Sequence, residues 1–186
     1  LSILRSGALI AAIALGLFAL FYGLSVLSYS AADPAFNSAG QVVEHNWMGQ
    51  SGAYLADASL FVFGLPAILL LPMMLGFARR LWRDVPQPGW KRQLIFCVLG
   101  MLLLGFGMTH WQHGNDISLP ASWGGIFSIL LDNGATSLTA LASGGWRTVI
   151  RVALILASIV GGLALVIRAL ELERPLFKIP LPQINV

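Results

Sequence analysis

The sequence is poor in charged residues. Of its 186 residues only 10% are Asp, Glu, Lys or Arg, while 57% are hydrophobic. A soluble domain carries roughly 25% charged residues, so this composition excludes an ordinary soluble domain and predicts an integral membrane protein. The single cysteine, Cys97, excludes an internal disulfide and a paired-thiol redox enzyme.

Motifs that carry chemistry are also scarce. The lysines Lys91 and Lys178 lack the glycines of a phosphate-cradling loop. No basic patch is large enough to bind nucleic acid. His110 and His113 are three residues apart and His45 lies in another loop, but two histidines without a nearby carboxylate or cysteine make a poor metal site. We therefore predict no catalytic residue, no cofactor and no metal in this chain.

Long apolar runs are what the sequence does contain. A bilayer span needs about 20 helical residues. The four candidate spans cover residues 3–27, 65–82, 94–109 and 148–170. The first is too long for a signal peptide and lacks a convincing cleavage site, so we expect it to be retained.

Shorter segments precede two of these spans. Residues 50–63 come before the second span and 123–142 before the fourth, and Gly64 and Pro66 offer a natural break after the first of these segments. The predicted fold is all-α and integral to the membrane. It has four transmembrane helices and two short outer-surface helices, which are either interfacial or re-entrant.

The basic residues predict the orientation. Five of them cluster around the connection between the second and third spans, namely Arg79, Arg80, Arg83, Lys91 and Arg92, whereas residues 29–57 contain no Lys or Arg. The positive-inside rule then places both termini and the 79–92 loop in the cytoplasm. Arg147 and Arg151 oppose this rule at the start of the fourth span. Arg151 either extends to the interface or pairs with Asp132.

The two halves of the chain resemble each other weakly. A shift of 75 residues aligns Gly49 with Gly124 and Asp57 with Asp132. An internal repeat and chance similarity between apolar segments both explain these matches. If the repeat is real, the two aspartates share a structural task, such as capping a helix end or satisfying backbone donors. A carboxylate in a membrane segment is otherwise a candidate functional group.

Small residues spaced four apart suggest helix packing, because such pairs let helix backbones approach closely in lipid. They occur in both terminal spans and in the first outer segment. The candidate packing residues are Ala12, Gly16, Ala157, Gly161 and Gly162. Their contacts are expected either within a subunit or between subunits.

One stretch resembles a known family. Between residues 29 and 64 the chain has an Asp33-Pro34 loop, a His-Asn pair, a G-x-x-G-A-x-L-A-D segment and a Phe-Gly pair. This order resembles the amino-terminal four-span membrane domain of the FtsK-type bacterial DNA translocases, the FtsK/SpoIIIE family. The later Gly-rich segment "GGIFSILLDNGATSL" also looks like that family. The motif residues are His45, Asn46, Gly49, Gly52, Ala53, Asp57, Gly124, Gly125 and Asp132.

The resemblance implies a membrane anchor at the division septum of the bacterial inner membrane. Its expected partners are the lipid bilayer, other septal division proteins and further copies of itself, with a hexamer as one form of self-association. A motor outside these residues would use ATP and Mg and would bind double-stranded DNA. Residues 1–170 would form the anchor and 171–186 the start of a linker, since both ends of the chain look like cuts.

Two hypotheses remain for the polar residues of the outer segments. In the anchor hypothesis, His45 and Asn46 brace a turn, Gly49 and Gly52 permit close packing, and Asp57 satisfies polar groups at the helix-to-span joint. The motif then shapes a surface for other septal proteins. In the alternative, the chain is a free-standing carrier or membrane-enzyme subunit with Asp57, Asp132 and Arg151 in a pocket between the two halves.

Overall fold

The computed structural model describes residues 3–36, 45–85, 89–110 and 119–170. They form helices α1 (Ile3–Leu27), α2 (Gly49–Phe63), α3 (Leu70–Trp82), α4 (Trp90–Thr109), α5 (Gly125–Thr139) and α6 (Trp146–Leu170). A 3₁₀ helix, Leu65–Leu69, joins α2 to α3. These ranges contain no β-strand, so the all-α prediction is confirmed. His113 and the predicted linker at 171–186 lie outside the described residues.

Four helical segments are long and apolar enough to cross a membrane, which confirms the four-span prediction. They are Arg5–Leu27, Leu65–Trp82, Trp90–Thr109 and Trp146–Leu170. The third begins before the predicted residue 94 because the polar turn that follows Gly89 is already helical. Helix α5 is shorter than the predicted 123–142, since it begins at a glycine with a left-handed backbone and ends at Thr139.

The helices are arranged as two similar groups. Helix α1 packs along α3, and α4 packs along α6. Helix α2 lies against α1, while α5 lies against α4. The two groups meet where α2 contacts α5 and where the 3₁₀ helix contacts α4.

The small core includes the side chains of Met73, Cys97, Met101 and Ala169, from α3, α4 and α6. The Cys97 side chain is fully buried. Tyr22 of α1 donates its hydroxyl to the carbonyl of Ala67 over 2.9 Å, which ties the 3₁₀ helix to α1. In a membrane this bond matters, because an unpaired backbone carbonyl is costly in lipid.

The predicted packing residues have different surroundings. Gly162 is buried against α4, where an added Cβ would lie 3.0 Å from the carbonyl oxygen of Gly100. Ala12 is also buried, but a Cβ on Gly16 would meet nothing within 4 Å. A Cβ on Gly161 would make only an ordinary contact with Leu103, at 3.6 Å. Of the two predicted packing glycines on α6, Gly162 rather than Gly161 therefore allows the close approach to α4.

The internal repeat stays a prediction. Helices α2 and α5 begin at Gly49 and Gly125, 76 positions apart, whereas the aspartates are 75 apart. One residue of offset turns a side chain by about 100° around a helix. The two aspartates consequently do not occupy the same helical position.

Candidate functional site

Asn46 braces the turn between α1 and α2. Its side-chain amide donates to the carbonyls of Ser25 at 2.8 Å and Ser28 at 3.4 Å, near the end of α1. Its side-chain oxygen accepts from the backbone N–H of Met48 at 3.0 Å, just before α2. These bonds occupy groups that a helix end would otherwise leave unpaired. A residue that is only 6% exposed thus links two helices.

His45 extends this turn to the preceding loop. Its backbone N–H donates to a carboxylate oxygen of Asp33 over 2.7 Å, and its Nδ1 lies 3.1 Å from the same oxygen. Asp33 is almost fully buried, while the His45 side chain is largely exposed. The Asp33-Pro34 loop is thereby attached to the His-Asn pair.

The two motif glycines of α2 serve different purposes. Gly49 opens α2 with φ = +65°, a backbone conformation that side chains with a Cβ rarely adopt. A Cβ on Gly52 would lie 2.5 Å from the Asn46 side-chain oxygen and 2.9 Å from the Ser25 hydroxyl. Ala53, beside it, is buried. The chain's own turn therefore fills the space next to Gly52, and this face of α2 packs internally.

Asp57 is a buried carboxylate on α2, only 5% exposed. One carboxylate oxygen has no hydrogen-bond partner among the described residues. Burial raises the pKa of Asp57, and the backbone N–H of Phe36 opposes that shift by donating a hydrogen bond. Burial, together with the charges of Asp57 and Asp33, also raises the pKa of Tyr29 to about 12.

The two groups of helices cross at glycines. Gly64 ends α2 with φ = +65°, and Gly125 begins α5 with φ = +77°. A Cβ on Gly64 would run into the backbone of residues 123–125, and a Cβ on Gly125 into that of 62–64. The backbone N–H of Leu65 donates to the carbonyl of Trp123 over 2.8 Å. Main chain therefore contacts main chain directly at this crossing.

Gly124 and two hydroxyl groups attach the crossing to α4. A Cβ on Gly124 would collide with the carbonyl oxygen of Gly105. The hydroxyls of Thr109 and Ser128 lie 2.7 Å apart, and Ser128 donates to the carbonyl of Gly125 over 2.7 Å. Thr109 also donates to the carbonyl of Gly105 over 3.0 Å. Small residues thus let α4 and α5 approach closely, and the hydroxyls donate hydrogen bonds to carbonyls of buried residues.

A charged cluster joins α4, α5 and α6. Arg151 donates from Nη2 to Asp132 Oδ1 over 3.1 Å, and His110 Nε2 lies 2.9 Å from that same oxygen. His110 Nδ1 is 3.0 Å from the carbonyl of Phe106, so that nitrogen carries a proton. His110 Nε2 then accepts from Arg151 when neutral, or donates to Asp132 when protonated. We call these three residues the outer triad.

The chain matches a known protein family over most of its length. A family model described as the 4TM region of DNA translocase FtsK/SpoIIIE matches residues 5–172. The chain belongs to this family. The match spans all four membrane-crossing segments and both outer helices, and it concerns the membrane region rather than a motor domain.

Individual FtsK proteins support this assignment. The chain is 33% identical to DNA translocase FtsK of Azospirillum brasilense over 132 residues, which are 69% of this chain and 21% of that protein. It is 32% identical to the FtsK of Pseudomonas putida over 143 residues, 73% of this chain and 16% of that protein. The chain therefore spans about a fifth or less of the length of these relatives. No solved structure matches it.

Within this FtsK membrane region, the prediction about His110 is wrong in one respect. It placed no carboxylate nearby, yet α5 brings Asp132 next to His110. The two residues are 22 positions apart and belong to different helices, so no local spacing reveals the pair. The pairing of Arg151 with Asp132, one of two options left open by the sequence, is present.

The carrier hypothesis required Asp57, Asp132 and Arg151 to share a pocket. Asp132 and Arg151 do meet, but no hydrogen bond or ion pair among the described residues connects them to Asp57. Within the same ranges, no three His, Cys, Asp or Glu side chains lie close enough together to hold a metal ion. The part of this FtsK membrane region that holds α2 and α5 is thus organised as a braced turn, a glycine crossing and a triad.

Proposed function

We propose that the chain is the membrane anchor of a septal DNA translocase. It contributes to assembly of the division machinery and positions an ATP-driven DNA-pumping motor, which lies outside this sequence, for chromosome segregation. The observation that carries this proposal is the family match over residues 5–172, together with relatives named DNA translocases that are several times longer. ATP, Mg and double-stranded DNA would be bound by the motor alone.

The distribution of charge supports an orientation with both termini in the cytoplasm. Arg79, Arg80 and Arg83 lie at the end of α3, and Lys91 and Arg92 follow at the start of α4. At the opposite end of the bundle, Arg151 is paired with Asp132. Arg147 and Arg151 at the start of α6 oppose this orientation, but the five basic residues between α3 and α4 outnumber them. This orientation places the chain that follows α6 on the side of the DNA.

The anchor's partners are the bilayer, other septal membrane proteins and further copies of the chain. Apolar side chains on α6 are exposed along its length, including Val152, Leu156 and Val160. Lipid covers such surfaces equally well, so they favour no single protein partner. The internally packed turn around Gly52 leaves the exposed side of α2, with Trp47 just before it, as the part of the motif that a partner can contact.

An exchange of anchors tests this function. In the source cell, the four-span region of the native protein would be replaced by an unrelated four-span anchor of the same topology. We expect septal localisation and chromosome segregation to fail, while the protein still inserts. A native protein of only 20.0 kDa on an immunoblot, or normal septal localisation with the foreign anchor, would overturn the proposal.

A further inference from the structure

A groove of about 500 Å³ lies beside the carboxyl end of α3. Its lining combines a cationic rim with an apolar wall. We call it the arginine groove; it is lined by Pro72, Leu75, Gly76, Arg79, Arg80, Arg83, Val85 and Leu170. The α3 residues form one side, and Leu170, the last residue of α6, closes the other.

The rim carries three guanidinium groups. Arg79 and Arg83 are exposed on α3 and the turn that follows it. Arg80 is partly buried and donates to the side-chain oxygen of Gln93 on α4 over 3.2 Å, which fixes its position. Among the described residues that line the groove, none is acidic. The rim is therefore suited to an anion, and guanidinium groups suit phosphate in particular.

The wall below the rim is apolar. Pro72, Leu75 and Leu170 contribute hydrocarbon, and Leu75 is 48% exposed. Gly76 leaves a space in the wall, because a Cβ there would meet nothing within 4 Å. The wall belongs to a segment that crosses the membrane. A phosphate ion would use the rim alone, whereas a phospholipid would use both surfaces.

We propose that the arginine groove binds an anionic phospholipid, with its phosphate at Arg79 and Arg83 and an acyl chain along Pro72, Leu75 and Gly76. Basic pockets between transmembrane helices are known to hold anionic headgroups on the cytoplasmic side. The orientation proposed above places the arginine groove in the cytoplasmic leaflet, and the assignment to that leaflet rests on it. The binding chemistry itself does not.

Lipid binding to the purified full chain tests the proposal directly. In neutral detergent, native mass spectrometry would compare phosphatidylglycerol with phosphatidylcholine, and thermal unfolding would report stabilisation by each. We expect phosphatidylglycerol to bind about tenfold more tightly. Glycerol 3-phosphate, which has the phosphate without acyl chains, should neither bind comparably nor stabilise the protein.

Two variants and their controls locate the site. Gly76→Leu places a side chain in the wall, where an added Cβ meets nothing within 4 Å, and should reduce phosphatidylglycerol binding to the phosphatidylcholine level. Gly16→Leu, where an added Cβ also meets nothing within 4 Å, should leave it unchanged. Replacing Arg79 and Arg83 together by Gln should weaken binding by at least about tenfold. Arg147→Gln removes a charge on α6, outside the groove, and should have little effect.

Three outcomes would overturn the proposal. The first is equal affinity for the two lipids, and the second is an equal loss of binding in the groove variants and their controls. The third is that the protein distinguishes the two lipids only after Glu171 and Glu173 are replaced by Gln. That result would assign the groove to the chain's own residues 171–186. Because the assay uses purified protein, its failure would leave the septal anchor proposal untouched.

Discussion

At the scale of single residues, the most consequential polar side chain is that of Asn46. It satisfies two carbonyls near the end of α1 and one N–H before α2 with a single amide. The Asn side chain carries an NH₂ donor and a carbonyl acceptor on one short amide, so it can bond to both sides of the turn. The sequence indicated a brace at the His-Asn pair, and the structure supplies the partners.

Asn46→Ala should destabilise the protein markedly, because it leaves these buried backbone groups unpaired. We expect a loss of about 3 kcal/mol in the free energy of unfolding, from a cost of about 1–3 kcal/mol for each unsatisfied group. Thermal unfolding in detergent measures it. Asn133→Ala removes the same side chain from an exposed site and serves as the control. Equal melting temperatures for the two variants would contradict the brace.

Asp57 should make stability depend on pH. Its folded-state pKa is raised by burial, so the folded protein holds this proton more tightly than the unfolded chain does. The contribution of Asp57 to stability is therefore fully present below its unfolded pKa, and it is lost as the pH rises through the folded pKa. Tyr29 faces the same region, and burial together with the nearby carboxylates raises its pKa to about 12.

Asp57→Asn should remove this decline. The amide is neutral and its oxygen still accepts from the N–H of Phe36, so the variant should melt above the wild type at pH 7. The difference should vanish near pH 4. Melting temperatures across this range provide the measurement, and Asp84→Asn at an exposed position is the control. Parallel curves for Asp57→Asn and the wild type would refute the assignment.

At the scale of helices, the crossing of α2 and α5 depends on glycine. Gly125 combines φ = +77° with neighbouring main chain from residues 62–64. The backbone cannot shift as a flexible side chain would. Gly134, on the same helix, has open space around it.

Gly125→Ala should therefore cost about 3 kcal/mol or more, from backbone strain and from separation of the helices. Gly134→Ala should instead stabilise α5 by as much as about 1 kcal/mol, since alanine favours helix. Circular dichroism during thermal unfolding would compare the two. If both variants gained stability, the close crossing would be wrong.

The outer triad should show coupling between helices α5 and α6. Asp132→Asn and Arg151→Gln should each destabilise the protein, because each breaks the ion pair. The double variant should lose about 1 kcal/mol less unfolding free energy than the two single variants lose together. Partial exposure to solvent keeps this value small. Unfolding measurements on all four proteins give the coupling. Strict additivity would show that the pair contributes nothing.

At the scale of the whole molecule, the proposed orientation makes a labelling prediction. Ser51→Cys and Val85→Cys place thiols on exposed positions of α2 and of the turn after α3, while the native Cys97 is fully buried. A membrane-impermeant maleimide should reach the first in cells with an intact inner membrane. It should reach the second only after that membrane is opened. The reverse pattern would invert the topology.

The sequence predicted the number of spans well because hydropathy and length are local properties. It predicted helix ends less well. The apolar run that suggested a start at residue 94 marks where the side chains become apolar, whereas the helix itself begins at Trp90. The His110–Asp132 contact was missed for a similar reason, since it joins helices whose packing no local pattern specifies.

By itself, the sequence determined the membrane class, the four spans, the break at Gly64 and the family. A bilayer imposes these features segment by segment, through the need to bury apolar side chains and to pair every backbone group within a helix. Only the tertiary structure decided which carboxylate meets which base, why Gly64 faces Gly125, and where arginines and apolar wall form one groove. Those features arise from contacts between helices distant in sequence.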